Sequence, residues 1–218
     1  MQELQSLETK VHCLVCNAGV LLNAKQLTSE GNETTFASHL LGGSYLLSNL
    51  LIPQLNAAAE EIPGSARVIF VTSGGMLLTK FPSWELATST ATNVKYDGVM
   101  AYSYAKRGQV LLAEEYAKQY PKISWISGHP GWTATAAVDD AFGDQKKYLE
   151  PMRTVWQGAE GLAWLMGSHN LVNGAFYLDR KVQKKHVSGP FMTEGSFTKN
   201  SRKEIDEMME NLKKTSDS

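Results

Sequence analysis

The sequence contains, at residues 67–75, the run Arg67-Val68-Ile69-Phe70-Val71-Thr72-Ser73-Gly74-Gly75. β-Branched and aromatic residues are typical of strands, and the glycine pair that closes the run is a turn signal. A second turn signal, Pro63-Gly64-Ser65, precedes it. The run therefore predicts a buried strand that ends near Ser73.

The chain on either side of this run alternates between strands and helices. Further strands are predicted at residues 11–16, 123–127 and 174–178, and helices at 34–55, 100–120 and 154–166. This alternation predicts an α/β fold with a mostly parallel sheet. A last helix is predicted at residues 201–212, where Ser201 and Glu204 form a capping box and the apolar residues share one face. We expect this helix to cover an apolar part of the molecule.

The composition is that of an ordinary globular protein, with 218 residues, 43% hydrophobic and 20% charged. Twenty-one basic residues against 22 acidic ones give a net charge of -1, so no nucleic-acid partner is expected. Residues 34–59 carry no charge, but His39, Asn49 and Gln54 make a buried helix a better interpretation than a membrane span. Residues 1–10 lack an apolar core, so we expect no secretory signal and a cytoplasmic location.

The two cysteines, Cys13 and Cys16, form a single C-x-x-C pattern. A redox pair or half of a zinc site are the functional alternatives. Both residues fall in the strand predicted at 11–16, where positions three apart point to opposite faces. A structural zinc site also needs four ligands, and no second Cys/His pair follows. Core packing is therefore the prediction for both.

Chemistry-bearing residues follow the predicted strands, at the edge where open α/β sheets bind their ligands. Asn17-Ala18-Gly19 follows the first strand, Ser73 ends the second, and a segment beginning His129-Pro130-Gly131 follows the third. Tyr102 and Lys106 lie four residues apart on a predicted helix, so they share a face.

An ammonium close to a phenol lowers its pKa, which would make Tyr102 a general acid/base assisted by Lys106. Ser73 would donate a hydrogen bond to a substrate oxygen. Tyr177 and Lys181 have the same spacing but start on a predicted strand, where four residues span about 13 Å. The second pair is therefore not expected to be catalytic.

Taken together, these motifs resemble the short-chain dehydrogenase/reductase superfamily from about Cys13 to the fourth strand. The segment around Asn17-Ala18-Gly19 resembles the family's N-N-A-G motif, and Pro130-Gly131 with Thr135 resembles its P-G-x-x-x-T motif. Further stretches, at residues 71–77, 96–98, 129–132 and 176–180, are similar to one subgroup of the family.

The resemblance implies a Rossmann-like, doubly wound parallel sheet and an NAD- or NADP-dependent oxidoreductase, with NADP slightly favoured. It implies that Tyr102 passes the proton, that Lys106 holds the nicotinamide ribose and that Ser73 orients the substrate oxygen. The cofactor-binding residues that it implies are Asn17, Ala18, Gly19, Tyr102, Lys106, Pro130, Gly131 and Thr135.

The chain departs from the family pattern at several points. His39 stands where the family usually has an active-site Asn, and its imidazole is a candidate for a proton relay whose charge changes near neutral pH. Cys16 replaces the first Asn of N-N-A-G. No glycine-rich dinucleotide turn occurs, and the first strand matches the family's fourth. We therefore expect an N-terminally truncated sheet lacking its first three strands, or about 60 to 90 residues.

Two functional hypotheses follow. The first is an oxidoreductase in which residues 1–198 form the C-terminal catalytic part of the family domain and residues 199–218 a surface helix and tail. Its substrate would be a small apolar carbonyl or alcohol, and its NADPH binding would be weak without the glycine-rich loop. The second is a non-catalytic interaction module derived from such an enzyme. A homodimer through the long apolar helices is also expected, whereas a serine hydrolase is not, because Ser73 lacks the G-x-S-x-G elbow.

Overall fold

A computed structural model describes residues 10–187 and 193–217, and it contains one sheet whose spatial order follows the chain order. The strands are β1 (Cys13–Cys16), β2 (Arg67–Val71), β3 (Ser124–Gly128), β4 (Phe176–Leu178) and β5 (Lys181–Gln183). The first four are mutually parallel, and β5 returns antiparallel to β4. The predicted α/β fold with a mostly parallel sheet is confirmed. The short hairpin strand β5 was not predicted.

The helices differ from the predicted ones mainly at their ends. The first, α1, is a continuous run built from Thr34–Phe36, a π-helical stretch at Ala37–Leu46, and Leu47–Glu61. The others are α2 (Trp84–Ala87), α3 (Gly98–Gln119), α4 (Ala136–Phe142), α5 (Val155–Gly167) and α6 (Arg202–Ser216). Single 3₁₀ turns lie at Gly74–Leu77 and Gly143–Tyr148. The short helices α2 and α4 lie in stretches whose sequence shows only turn and loop signals.

Helices cover both faces of the sheet, as in a doubly wound fold. Val68 and Phe70 of β2 pack in the cluster formed with α1 and α3, whereas Ile69 packs against Leu165 of α5 on the other face. Cys16 lies in the first cluster and Cys13 packs against the second, which confirms the predicted core packing. Burial raises the pKa of Cys16 to about 12. Within the described residues β1 pairs with β2 only, so it is an edge strand there.

The C-terminal helix α6 covers the outer side of the layer formed by α1 and α3. Met208 and Leu212 are fully buried in one cluster with Tyr45 of α1 and Tyr116 of α3. None of the large apolar side chains found exposed in the described residues lies on α1 or α3, and the expected homodimer through these helices stays a prediction. None of the helices in the described ranges is both long and apolar enough to cross a membrane.

Shortening Leu212 tests whether α6 is an integral part of the core. Its side chain is 0% exposed, so Leu212→Ala should leave a cavity and lower the free energy of unfolding by about 2–5 kcal/mol. Urea unfolding followed by circular dichroism measures this change. The adjacent exposed Lys213 provides the control, because Lys213→Ala should stay within about 0.5 kcal/mol of the unmodified chain. Equal midpoints for the two variants would show that α6 is detached in solution.

Candidate active site

The predicted site residues gather at the carboxyl edge of the sheet. Ser73 lies two residues after the end of β2 and caps the 3₁₀ turn Gly74–Leu77, its Oγ accepting a hydrogen bond of 3.2 Å from the Gly75 N–H. Asn17 follows β1, and Pro130 lies just beyond β3. The neighbouring helix α3 carries Tyr102 over this edge. The parallel register of β1, β2 and β3 is what brings these strand ends together.

The Ser73 hydroxyl lies near Tyr102 and acts to lower the pKa of the phenol, which partly offsets the effect of burial. Burial is the larger effect and raises the pKa of Tyr102 above its ordinary value. The prediction that Lys106 lowers this pKa is therefore wrong in this structure. The phenol is kept protonated, which suits a group that donates a proton to a substrate oxygen.

The Lys106 ammonium lies over the ring of Tyr102 and bonds to the backbone. Its Nζ lies 5.3 Å from the centre of the Tyr102 ring and donates a 2.6 Å hydrogen bond to the carbonyl of Val71. The side chain is almost fully buried, and this burial lowers the pKa of Lys106 to about 7. The four-residue spacing thus brings the pair together but does not aim the ammonium at the phenolic oxygen.

His39 lies in the π-helical stretch of α1, a type of irregularity often found at functional sites. Its ring meets the Tyr102 ring edge-on, with centroids 5.1 Å apart. Its Nε2 lies 2.8 Å from the carbonyl of Val20. Burial, with a further contribution from the charge of Lys106, lowers the pKa of His39 to about 3. The ring is therefore neutral, and Nε2 donates to Val20.

This environment corrects the expectation that the charge of His39 changes near neutral pH. Nδ1 is buried and, among the described residues, has no hydrogen-bond partner. A Cβ on Gly19 would overlap the imidazole, at 1.9 Å from Cε1. His39 thus fills the space between the Asn17-Ala18-Gly19 loop and Tyr102, and only glycine fits at position 19.

The Pro130-Gly131 turn is held from two sides. The His129 Nδ1 accepts a 3.2 Å hydrogen bond from the Gly131 N–H, and Arg153 donates a 3.1 Å hydrogen bond to the Pro130 carbonyl. Arg153 is itself paired with Asp179 at 2.7 Å. Gly131 has a φ of 79°, and a Cβ there would lie 2.5 Å from the Arg153 guanidinium.

Sequence reasoning missed the roles of His129 and Arg153 in this turn. His129 is the first residue of the His129-Pro130-Gly131 segment, so its contact with this turn could have been inferred from the sequence. Arg153 followed a stretch without pattern, and nothing in the sequence connected it to Pro130. Thr135 is exposed and makes no capping hydrogen bond for α4, so its side chain is not drawn into the cluster around Tyr102.

The second Tyr/Lys pair is placed as predicted, away from this chemistry. Tyr177 lies on β4 and its hydroxyl accepts a 2.8 Å hydrogen bond from the Val172 N–H. Lys181 starts β5 on the far side of the hairpin turn and is exposed. The two side chains point to opposite faces of the hairpin, because Lys181 pairs with Leu178, the neighbour of Tyr177. The predicted separation of about 13 Å along one strand is therefore wrong, since the chain turns back between the two residues.

The residues that are present suit the nicotinamide of a dinucleotide cofactor better than they suit its phosphates. Among the described residues, the buried Nδ1 of His39 beside Tyr102 has no hydrogen-bond partner, while the space next to Gly19 and Gly131 is filled by His39 and Arg153. Dinucleotide folds hold the pyrophosphate at a glycine-rich turn before a helix. No such turn occurs in the sequence.

The chain belongs to the short-chain dehydrogenase/reductase superfamily, as its similarity to curated members of that superfamily shows. No protein-family model matches the chain. It is similar to human dehydrogenase/reductase SDR family member 12, with 37% identity over 212 residues. The match covers 95% of this chain but only 63% of that protein, so the chain spans less than two thirds of this relative.

Solved structures show the same fold. The NADPH-bound carbonyl reductase from chicken fatty liver superimposes with a TM-score of 0.55 at 20% identity, covering 80% of this chain and 65% of that one. A 4-hydroxyisoleucine dehydrogenase complexed with NADH and succinate gives a TM-score of 0.57 at 14% identity, covering 81% of this chain and 69% of that one.

The low pKa of His39 makes a prediction for stability. In the unfolded chain a histidine has a pKa of about 6.5, so as the pH falls below that value the unfolded state takes up a proton that the folded state refuses until about pH 3. Stability is therefore lost on acidification, and His39 should account for about 2 kcal/mol of the loss between pH 7 and pH 5.

Urea unfolding of His39→Asn at the two pH values measures this contribution. The variant should lose about 2 kcal/mol less than the unmodified chain. His12 is exposed, so His12→Asn is the matched control and should lose as much as the unmodified chain. If His39→Asn and the control show the same loss, His39 is not held neutral.

Proposed function

We propose that the chain is an NAD(P)-dependent oxidoreductase of the short-chain dehydrogenase/reductase type that interconverts a carbonyl and an alcohol through Ser73, Tyr102 and Lys106. The observation that carries the proposal is the closeness of the Ser73 hydroxyl to the Tyr102 phenol at the carboxyl edge of the sheet. This closeness supports a proton donor next to an orienting hydroxyl. Membership of the superfamily and likeness to dehydrogenase/reductase relatives support the same reaction class.

In this proposal each side chain has one task. Tyr102 donates its proton to the substrate oxygen during reduction, and its raised pKa ensures that the proton is there. Ser73 donates a hydrogen bond to the same oxygen and holds it. A bound reduced nicotinamide supplies the hydride. Lys106 would hold the nicotinamide ribose with an N–H of its ammonium that Val71 does not use.

The nicotinamide would lie against the Asn17-Ala18-Gly19 loop and the Pro130-Gly131 turn, with Thr135 at its outer end. The solved neighbours contain NADPH in one case and NADH in the other, which supports a nicotinamide cofactor without separating the two forms. We favour NADP and a small apolar carbonyl or alcohol as substrate. Without a glycine-rich turn, most of the affinity should come from the nicotinamide end.

A second candidate, a non-catalytic interaction module, is favoured by one observation. Helix α5 leaves two large apolar side chains exposed, Val155 at 64% and Trp156 at 72%. Large apolar surface in water often marks a contact with another protein. This candidate requires no nicotinamide binding, so cofactor binding separates the two.

Reduced nicotinamide mononucleotide is the sharpest cofactor probe, because it carries the reacting half without the adenosine phosphate half. The full chain should reduce a small ketone with either this mononucleotide or NADPH at millimolar concentration, followed by loss of nicotinamide absorbance. Tyr102→Phe should lower turnover by roughly 100- to 10,000-fold while leaving mononucleotide binding unchanged, because only the proton is removed.

Tyr104→Phe is the matched control, since Tyr104 lies on the same helix and its exposure is also intermediate. It should keep the turnover of the unmodified chain. Unchanged turnover in Tyr102→Phe would overturn the assignment of the proton donor. Absence of nicotinamide fluorescence changes with both probes would favour the interaction module.

A further inference from the structure

His129 lies beside the candidate catalytic residues but has no part in the chemistry described above. It follows β3 directly, and its ring stacks on Phe176 of β4 with centroids 6.4 Å apart. Its Nε2 is 3.2 Å from the position that a Cβ on Gly74 would take, and Gly74 is the residue after Ser73. A side chain at position 74 would therefore crowd the imidazole, and glycine keeps its Nε2 free of that contact.

The tautomer of His129 is fixed by its neighbours. The Gly131 N–H donates to Nδ1, so Nδ1 carries no proton. Burial, aided by the charge of Arg153, lowers the pKa of His129 to about 4, and Lys106 is near enough to contribute. The imidazole is therefore neutral at physiological pH, and its single proton is on Nε2.

The Nε2–H group is a donor without a partner in the structure. Within residues 10–187 and 193–217 no hydrogen bond of this nitrogen is found, whereas His39 donates from its own Nε2 to Val20. The nitrogen is not among the buried polar atoms left unpaired, and the residue is only partly buried, so a ligand can reach it. A neutral N–H group favours an acceptor oxygen.

We propose that His129 determines substrate specificity by donating its Nε2–H to a second oxygen of the substrate, close to the carbonyl that is reduced. This inference rests on the proposed function and names its substrate class: carbonyl compounds with a neighbouring carbonyl, ester or hydroxyl oxygen. Ser73 and Tyr102 bind the reacting oxygen, and His129 binds the other one. A simple monoketone leaves this donor unpaired, which costs affinity in a partly desolvated site.

Diacetyl and butanone are a matched pair of probes, because they differ only in the second carbonyl. The ¹⁵N resonances of the histidine rings in the full chain report directly on the donor. Diacetyl should shift the His129 Nε2 resonance, with or without NADPH, and butanone should not. The exposed His169 serves as the reference resonance and should not move with either probe.

Two variants separate the donor from the turn that it supports. His129→Asn keeps an acceptor for the Gly131 N–H but cannot reach as far as Nε2, whereas His129→Gln keeps a donor near the Nε2 position. In kcat/KM, the preference for diacetyl over butanone should fall about 10-fold in His129→Asn and be retained in His129→Gln. Urea midpoints show that both variants fold.

The outcomes distinguish this inference from the proposed function. Equal shifts with diacetyl and butanone, a shift caused by NADPH alone, or equal loss of preference in both variants overturns the role of His129. If the chain turns over neither ketone, the proposed function fails, and the His129 resonance still decides whether a second oxygen is bound there.

Discussion

Lys106 donates a hydrogen bond from its buried ammonium to the carbonyl of Val71, and the hydroxyl of Thr72 donates one in return to the Lys106 carbonyl, at 2.8 Å. A buried ammonium without a partner costs several kcal/mol, so this pairing is a strong constraint. The two bonds hold the middle of α3 against the end of β2 and the residue that follows it. Because Ser73 follows Thr72 and Tyr102 lies one helical turn before Lys106, the same constraint sets their distance.

The next residue extends the constraint to the C-terminal part of the chain. Arg107 is also buried, and it donates to the carbonyls of Lys185 and Thr198 and contacts His186. These contacts hold Lys185, His186 and Thr198 against α3, although these residues lie far from α3 in the sequence. Thr198 also lies shortly before the start of α6. Consecutive buried cations on one helix thus organise both the candidate site and the layer that covers α1 and α3.

The parts of the fold that local patterns control could be predicted, and the parts that depend on side-chain direction could not. Strand ends carrying Ser73 and Pro130, and the helix carrying Tyr102, follow from apolar runs and turn residues. The pKa shift of Tyr102 was predicted with the wrong sign, because spacing gives proximity but not where an ammonium points. The neutral state of His39 and the partners of Arg153 depend on burial and on contacts distant in sequence, which no local pattern records.

The two faces of the sheet contribute unequally to the candidate chemistry. Tyr102, Lys106 and His39 all belong to α1 and α3, the face closed by α6. The opposite face has α5, whose Trp156 is 72% exposed. Tyr102 packs against His39 of α1 and Lys106 donates to Val71 of β2, so neither contact depends on what lies against α5. The environment of Tyr102 and the binding of a cofactor's phosphates are therefore separate physical problems in this fold, and the described residues are organised around the first.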